Sequence, residues 1–401
     1  MRDSASADLN IGLVVQLVRI PACHAGGREF ESRPDRKISK IVFIHMDKDI
    51  KKNYICAVPF SSMEIHDRDR FLCCASWLKK YLPENTTPKD AWNSKEANDI
   101  RDSILDGSYR YCDSLHCPSL HQLEEVGFLG KVSPIYHKDK LPETLKTQIE
   151  HHKNGTLKPA IIQFSFDRSC NLECPSCRVS MFTASSKKIK EVHAMIDLIE
   201  EQYGESVETL YITGSGDPFV SVGFRNFLRN FDKTKWPKLK NIHLHTNATR
   251  WNKKMWDSMK NVWPYVRSCE ISIDAATKDT YENKVRINGN WDELIDNLKF
   301  IATIPKLKKI KASFVVQQKN YKEMQDFYNL MVDIFGLKVR VFFGKITNWG
   351  TFSKDEFKNE EIWNPSHPEH NEFVKEIRKT LPAEQAWDNL QEFTNIKTNL
   401  I

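Results

Sequence analysis

Ala160-Ile-Ile-Gln-Phe-Ser-Phe-Asp167, with Cys170-Asn-Leu-Glu-Cys174-Pro-Ser-Cys177 close behind it, reads as a short apolar strand running into a cysteine-bearing loop. Three thiols stand in that loop with no fourth sulfur ligand nearby. Four thiolates complete a [4Fe-4S] cluster, so three from one loop leave one iron free for a ligand that the protein does not supply. A loop at the carboxyl end of a strand is also where barrel enzymes build their active sites.

Outward from that strand, the pattern repeats. Strands are predicted over 160–167, 209–213, 241–245, 269–274, 311–317 and 338–343, and amphipathic helices over 187–203, 222–232, 253–262, 292–302 and 321–334. Alternation of this kind implies parallel strands joined by right-handed helical crossovers. Six strands fall short of a closed eight-stranded barrel, so the predicted fold is α/β, a partial (β/α)6 TIM-like barrel over 160–345.

Composition narrows the class. The chain has 401 residues, a net charge of +6 and ten cysteines. It lacks an apolar run of about eighteen residues and a secretory leader, so a cytoplasmic protein without a membrane partner is expected. In that setting the cysteines read as metal ligands and free thiols rather than disulfides. The modest positive charge is spread through Lys/Glu-rich helical stretches such as 183–200, a solvated face and not the footprint of a nucleic acid.

The spacing of Cys170, Cys174 and Cys177 after the first strand resembles the signature of the radical SAM superfamily. The resemblance implies a core [4Fe-4S] cluster on these three residues, with S-adenosyl-L-methionine chelating the open iron. It further implies reductive cleavage of that cofactor to a 5′-deoxyadenosyl radical, which abstracts hydrogen from a substrate. An electron donor such as flavodoxin or ferredoxin would then be a partner.

After the second strand, Gly214-Ser215-Gly216-Asp217-Pro218 stands where that superfamily carries a Gly-Gly-Glu-Pro type loop, which holds the methionine amino group. Ser215 intrudes between the glycines, and Asp217 replaces the glutamate. His245 and Asn247 end the third strand, and Ser272 and Asp274 end the fourth, all at the same mouth. By resemblance, Ser272 and Asp274 meet the cofactor's ribose or carboxylate, and Arg286 neutralises the carboxylate. An ordinary surface ion pair is the alternative for Arg286. Gln317, Asn320, Lys345, Asn348 and Trp349 follow the last two strands, where substrate would enter.

A second cysteine group precedes the core. Cys56 and the pair Cys73 and Cys74 flank a predicted short hairpin, then come a helix ending at Gly107 and a loop with Cys112 and Cys117. With Trp92-Asn93-Ser94, Arg101 and Gly107, this resembles the first half of a SPASM domain, or twitch module, over 46–123. The resemblance implies an auxiliary [4Fe-4S] cluster on Cys56, Cys73, Cys112 and Cys117, with Cys74 as the alternative second ligand. Two departures are the placement before the core and Asp67-Arg68-Asp69 where the hairpin glycine would be. Four thiolates suit a structural zinc equally well by spacing alone. The competing class is therefore a non-catalytic zinc-cysteine protein, with RNA as its candidate partner. Residues 124–159 read as a polar linker, and 346–401 as an extension covering the barrel. Relatives with such modules modify peptides, proteins, sugars or small metabolites, so the expected substrate is a peptide or a small molecule.

Residues 11–36 resemble a translated aspartate transfer-RNA gene. Val15-Gln16-Leu17-Val18 fits the D-arm codons GTT CAG TTG GTT, and Glu29-Phe30-Glu31-Ser32 fits GAG TTC GAA TCT of a T loop. Pro21-Ala22-Cys23-His24-Ala25-Gly26 fits a self-complementary hairpin carrying the anticodon GTC. Residues 1–45 are accordingly expected to be spurious upstream translation, with Met46 the natural start, and Cys23 leaves the metal question. The gene's nucleotide sequence is expected to carry an aspartate transfer-RNA gene across codons 11–36. Its absence there would refute the reading.

Overall fold

The computed structural model describes residues 50–379, apart from 75–76, 115–116, 127–128 and 130–132, all within one compact unit, Met46–Ile401. The expectation for the leader lies outside the described residues. The strands are β1 (Tyr54–Cys56), β2 (Ser62–Ile65), β3 (Arg70–Phe71), β4 (Ile135–His137), β5 (Ile161–Phe164), β6 (Thr209–Ile212), β7 (Asn241–Thr246), β8 (Val266–Ser272), β9 (Lys309–Val316) and β10 (Val339–Lys345). The helices are α1 (Val58–Ser61), α2 (Pro88–Trp92), α3 (Lys95–Leu105), α4 (Pro118–Val126), α5 (Glu143–Lys153), α6 (Ser186–Tyr203), α7 (Val222–Arg229), α8 (Lys253–Asp257), α9 (Lys278–Thr280), α10 (Trp291–Ala302), α11 (Met324–Phe335), α12 (Lys354–Glu360) and α13 (His370–Lys379). No helix of the described residues is long and apolar enough to cross a membrane.

The six expected strands lie side by side in one eight-stranded sheet of order β10-β9-β8-β7-β6-β5-β2-β3. Every neighbour from β2 to β10 is parallel. The fold is α/β, an open arc of strands and crossover helices. The helices pack by their apolar stripes, as in α6, where Val192, Ile196, Ile199 and Tyr203 are buried and Ser185 caps the first turn by accepting from Lys188 N.

Three features were not expected from the sequence. First, β2 lies before the core in sequence yet pairs with β5, Ser62 opposite Ile161 and Ile65 opposite Phe164, so the cysteine-rich segment shares the core's sheet. Second, Cys56 is not in the β2–β3 hairpin but on β1, which pairs with β4. Third, the stretch 124–159 contains β4 and α5. In the last extension, α13 buries Phe373 and Ile377, and Glu369 accepts from Tyr321 Oη at 2.9 Å, so the segment packs on the turn after β9.

The motif from Trp92 to Gly107 has scaffold reasons for each residue. Trp92 is buried and donates from Nε1 to Leu157 O at 2.9 Å. Ser94 caps α3, and buried Arg101 lies over the Trp92 ring while donating to the carbonyls of Pro59 and Trp92, both at 2.9 Å. Gly107 follows α3 with φ of 81°, and a Cβ built there would stand 2.6 Å from Lys52 Cα. Both the left-handed backbone and the close approach demand glycine. Gly107→Ala is expected to lower stability by about 2 kcal/mol, read as a lower urea midpoint with unchanged slope.

Candidate functional site

The cysteine loop is fixed from both ends. Cys170 and Phe182 exchange backbone hydrogen bonds, N to O at 2.9 and 3.3 Å, and Glu173 N donates to Ile287 O at 3.0 Å. Before the loop, buried Asp167 accepts from Ser169 N at 2.9 Å and from Ser221 Oγ at 2.5 Å, tying the end of β5 to the start of α7.

Each of the three sulfurs receives a side-chain N–H donor, and each of these donors comes from a different segment. Asn247 Nδ2 stands 3.5 Å from Cys170 Sγ, Arg286 Nη1 stands 3.4 Å from Cys174 Sγ, and Arg178 Nη2 stands 3.6 Å from Cys177 Sγ. Cys170 and Cys174 are buried and Cys177 is exposed. Burial pushes the Cys170 thiol up to about 11, with Asp217 adding to the rise and Arg178 opposing it. Burial likewise raises Cys174, against the pull of the Arg286 guanidinium. Thiolate ligation therefore has to expel protons from buried thiols, and two guanidinium groups stand ready to offset the resulting charge.

The loop after β6 lies beside the cysteines. Ser215 Oγ donates to Ser165 O at 2.6 Å, and Ser215 O accepts from Arg178 Nη2 at 2.8 Å. Gly216 packs so closely that a Cβ would stand 2.4 Å from Asp167 O, and a Cβ on Gly214 would stand 2.5 Å from Gln163 Nε2. Asp217 is turned inward: its carboxylate accepts from Thr246 Oγ1 at 2.7 Å, Asn247 N at 2.9 Å and Phe219 N at 2.9 Å. It acts as a clasp between the loop after β6 and the end of β7.

At the ends of β7 and β8, His245 Nε2 and Ser272 Oγ are hydrogen-bonded at 3.0 Å. Asp274 and Arg286, each expected to face the cofactor, are paired with one another at 2.7 Å. Asp274 also accepts from Val315 N at 2.8 Å and holds a left-handed backbone at φ of 63°. The Arg286 guanidinium thus meets a carboxylate of the protein through Nη2 and the Cys174 sulfur through Nη1. Sequence reasoning missed Arg178, although a cation directly after Cys177 was a visible signal. It also missed Asp167, whose role rests on a distant serine.

Of the second set, Cys56, Cys73, Cys74, Cys112 and Cys117 are all half-buried, and they lie close enough to sense one another's charge. Burial, then Cys117, pushes Cys112 up to about 12. Backbone amides of Leu120 and Ser119, at the start of α4, oppose the rise at Cys117. Among the described residues no three Cys, His, Asp or Glu side chains stand at the spacing of a single-ion site. A cubane cluster holds its ligands farther apart than one ion does, and the triad's donor chemistry, three thiols with an N–H to each, fits such a cluster. Cys269 is a buried residue of β8.

Between the two sets, the inner face of the sheet is polar. Glu64 Oε1 accepts from His66 Nε2 at 2.8 Å, Gln163 Nε2 at 3.0 Å and Ser165 Oγ at 3.3 Å. A cavity of about 190 Å³ opens beside Glu64 and Gln163, lined also by Tyr211, Cys73 and Cys74.

No family model and no curated protein matches the sequence. Among solved structures, the chain is similar to Streptococcus suis SuiB bound to S-adenosylmethionine, at 14% identity and a TM-score of 0.40 over 64% of this chain and 53% of that one. It is similar to SuiB bound to precursor peptide SuiA at 14% identity and a TM-score of 0.38, over 76% and 59%. A third is anSMEcpe with bound AdoMet and Cp18Cys peptide, at 14% identity and a TM-score of 0.40, over 55% and 58%. The chain spans between half and three-fifths of the length of these proteins.

His243 lies on the same inner face, its Nδ1 2.9 Å from Ser268 Oγ and its ring against Tyr211. Burial lowers its pKa from 6.5 to about 4. Between those values the unfolded chain binds the extra proton, so His243 contributes instability that grows as pH falls from 6.5 to 4 and vanishes above 6.5. His243→Gln is expected to remove up to about 3 kcal/mol of that acid loss, measured by urea unfolding at pH 7 and pH 4.5.

Proposed function

We propose that this protein is a radical SAM enzyme whose core [4Fe-4S] cluster is held by Cys170, Cys174 and Cys177. One observation carries the reading: each of three loop thiols at the carboxyl end of the first core strand has its own N–H donor, and among the described residues no fourth cysteine joins them. That arrangement supports a cluster with one iron left for a non-protein ligand. When bound, the cluster and S-adenosyl-L-methionine would supply one-electron cleavage of the cofactor and hydrogen abstraction from substrate.

The chain's own residues bind, orient and exclude water. Gly214, Ser215, Gly216, His245, Asn247 and Ser272 are the groups that would hold S-adenosyl-L-methionine, since they share the mouth with the cysteine loop. Asp217 positions Asn247, and Asp274 positions Arg286 against Cys174. Cys56, Cys73, Cys112 and Cys117, with Cys74 in reserve, would hold an auxiliary [4Fe-4S] cluster. The cavity lined by Glu64, Gln163, Tyr211, Cys73 and Cys74 supports a substrate that presents a compact polar group, from a peptide or a small molecule. A flavodoxin- or ferredoxin-type donor would supply the electron.

Anaerobic reconstitution tests the proposal. The protein is expected to take up iron and, when reduced with S-adenosyl-L-methionine present, to release 5′-deoxyadenosine. Cys174→Ala should abolish that release, while Cys112→Ala should keep the core cluster. Zinc in place of iron, or no 5′-deoxyadenosine, would defeat the enzyme reading in favour of a zinc-cysteine protein. Loss of the core cluster in Cys112→Ala would defeat the two-site assignment.

A further inference from the structure

Two buried hydrogen-bond donors beside the core cysteines have no acceptor among the described residues. They are Tyr281 Oη and Arg286 Nε. Tyr281 opens and Arg286 caps one short element, a π-helical turn over Tyr281–Val285 that closes with Arg286 N donating to Tyr281 O at 2.8 Å. A π turn widens the helix and brings residues five apart onto one side, and such turns recur at functional sites. Here it sets a phenol and a guanidinium side by side.

The placement is heavily constrained. The Tyr281 side chain is fully buried and packs against the Trp291 ring at 5.5 Å between centroids. A Cβ on Gly289 would stand 2.4 Å from the Tyr281 ring, so the backbone itself braces the phenol. Arg286 is fixed by Asp274 at 2.7 Å and by Cys174 Sγ at 3.4 Å. Burial, foremost, holds the phenol protonated against the pull of the Arg286 guanidinium, and the charges of Cys174, Asp274 and Cys170 reach it and act in the same direction as burial. The hydroxyl is therefore a donor near the triad with nothing to donate to.

Leaving a buried donor without an acceptor costs about 1–3 kcal/mol. Phenylalanine would fill the same space without that cost, because ring packing against Trp291 and Gly289 needs no hydroxyl. The hydroxyl makes sense when an acceptor arrives with the cluster.

We infer that Tyr281 Oη and Arg286 Nε donate to sulfur atoms of the cluster held by Cys170, Cys174 and Cys177, and so raise its reduction potential. They complete the donor set begun by Asn247, Arg178 and Arg286 Nη1. The inference rests on the cluster reading above. Sulfur accepts more strongly as the cluster gains an electron, so each donor stabilises the reduced form more than the oxidised one. Tyr281 is thus a positioning and tuning residue; it takes no part in bond breaking.

Tyr281→Phe tests this with two readouts that do not depend on turnover. The apoprotein's melting temperature is expected to stay level or rise, since only an unsatisfied hydroxyl is lost. In the reconstituted protein, the equilibrium constant for one-electron reduction is expected to fall by about threefold to tenfold, equivalent to about 30–60 mV at 59 mV per tenfold. Gly289→Ala, which pushes the ring aside, should lower the potential in the same direction. Loss of iron loading by a folded Tyr281→Phe apoprotein also supports the contact, because the ring packing is retained. A wild-type potential in the iron-loaded Tyr281→Phe protein overturns the inference while leaving the cluster reading intact. A wild-type protein that takes up no iron overturns both.

Discussion

The ion pair between Arg286 and Asp274, 2.7 Å apart with both groups buried, is the interaction on which the candidate site depends. Withdrawing two charges from water costs several kcal/mol per ion, and their attraction repays it only when the remaining hydrogen-bonding capacity is also used. Asp274 uses it on Val315 N, and Arg286 uses part of it on Cys174 Sγ. Asp274 accepts a left-handed backbone to get there, a strain tolerated only where the surroundings over-determine the position. An apolar pair of equal volume could give similar stability. It could not place a positive charge against a thiol.

The second constraint is the shared sheet. Because β2 pairs with β5, the segment carrying the upstream cysteines is bound by backbone hydrogen bonds to the strand that leads into Cys170. A hinge between the two thiol sets would have to break that ladder. The polar network of Glu64, Gln163 and Ser165 spans the same junction, so the strand pairing also assembles the wall of the cavity.

The six core strands and their helices could be read from the sequence because each apolar stripe has a clear period and each turn has its punctuation. Ser185 before α6 and Asn290 before α10 are caps that local sequence announces. The pairing of β2 was not readable, since four residues, Ser62 to Ile65, carry too little pattern to choose a partner 99 positions away. Nor was α5, in which Leu145 is the buried residue of an otherwise polar segment. The spacing of Cys170, Cys174 and Cys177 stands out in the sequence because all three fall in one loop directly after a strand. The partners of Asp217 and Arg286 were not legible, because a carboxylate that clasps a loop and one that faces a ligand look the same until the tertiary contacts exist.

The two thiol sets also differ in how their surroundings would receive negative charge. Around Cys170, Cys174 and Cys177, side-chain N–H groups reach every sulfur, two of them from guanidinium ions. Around Cys117 the opposing influences are backbone amides at the start of α4, and at Cys112 they are the more distant charges of Lys51 and Lys79. Direct donation from a charged group is roughly twice as strong as donation from a neutral one, and it strengthens as the acceptor becomes more negative. Negative charge at the core loop would therefore be better received than negative charge at the upstream cysteines. That polarity is built from Arg178 and Arg286, whose positions are set in turn by the Ser215 carbonyl and by Asp274.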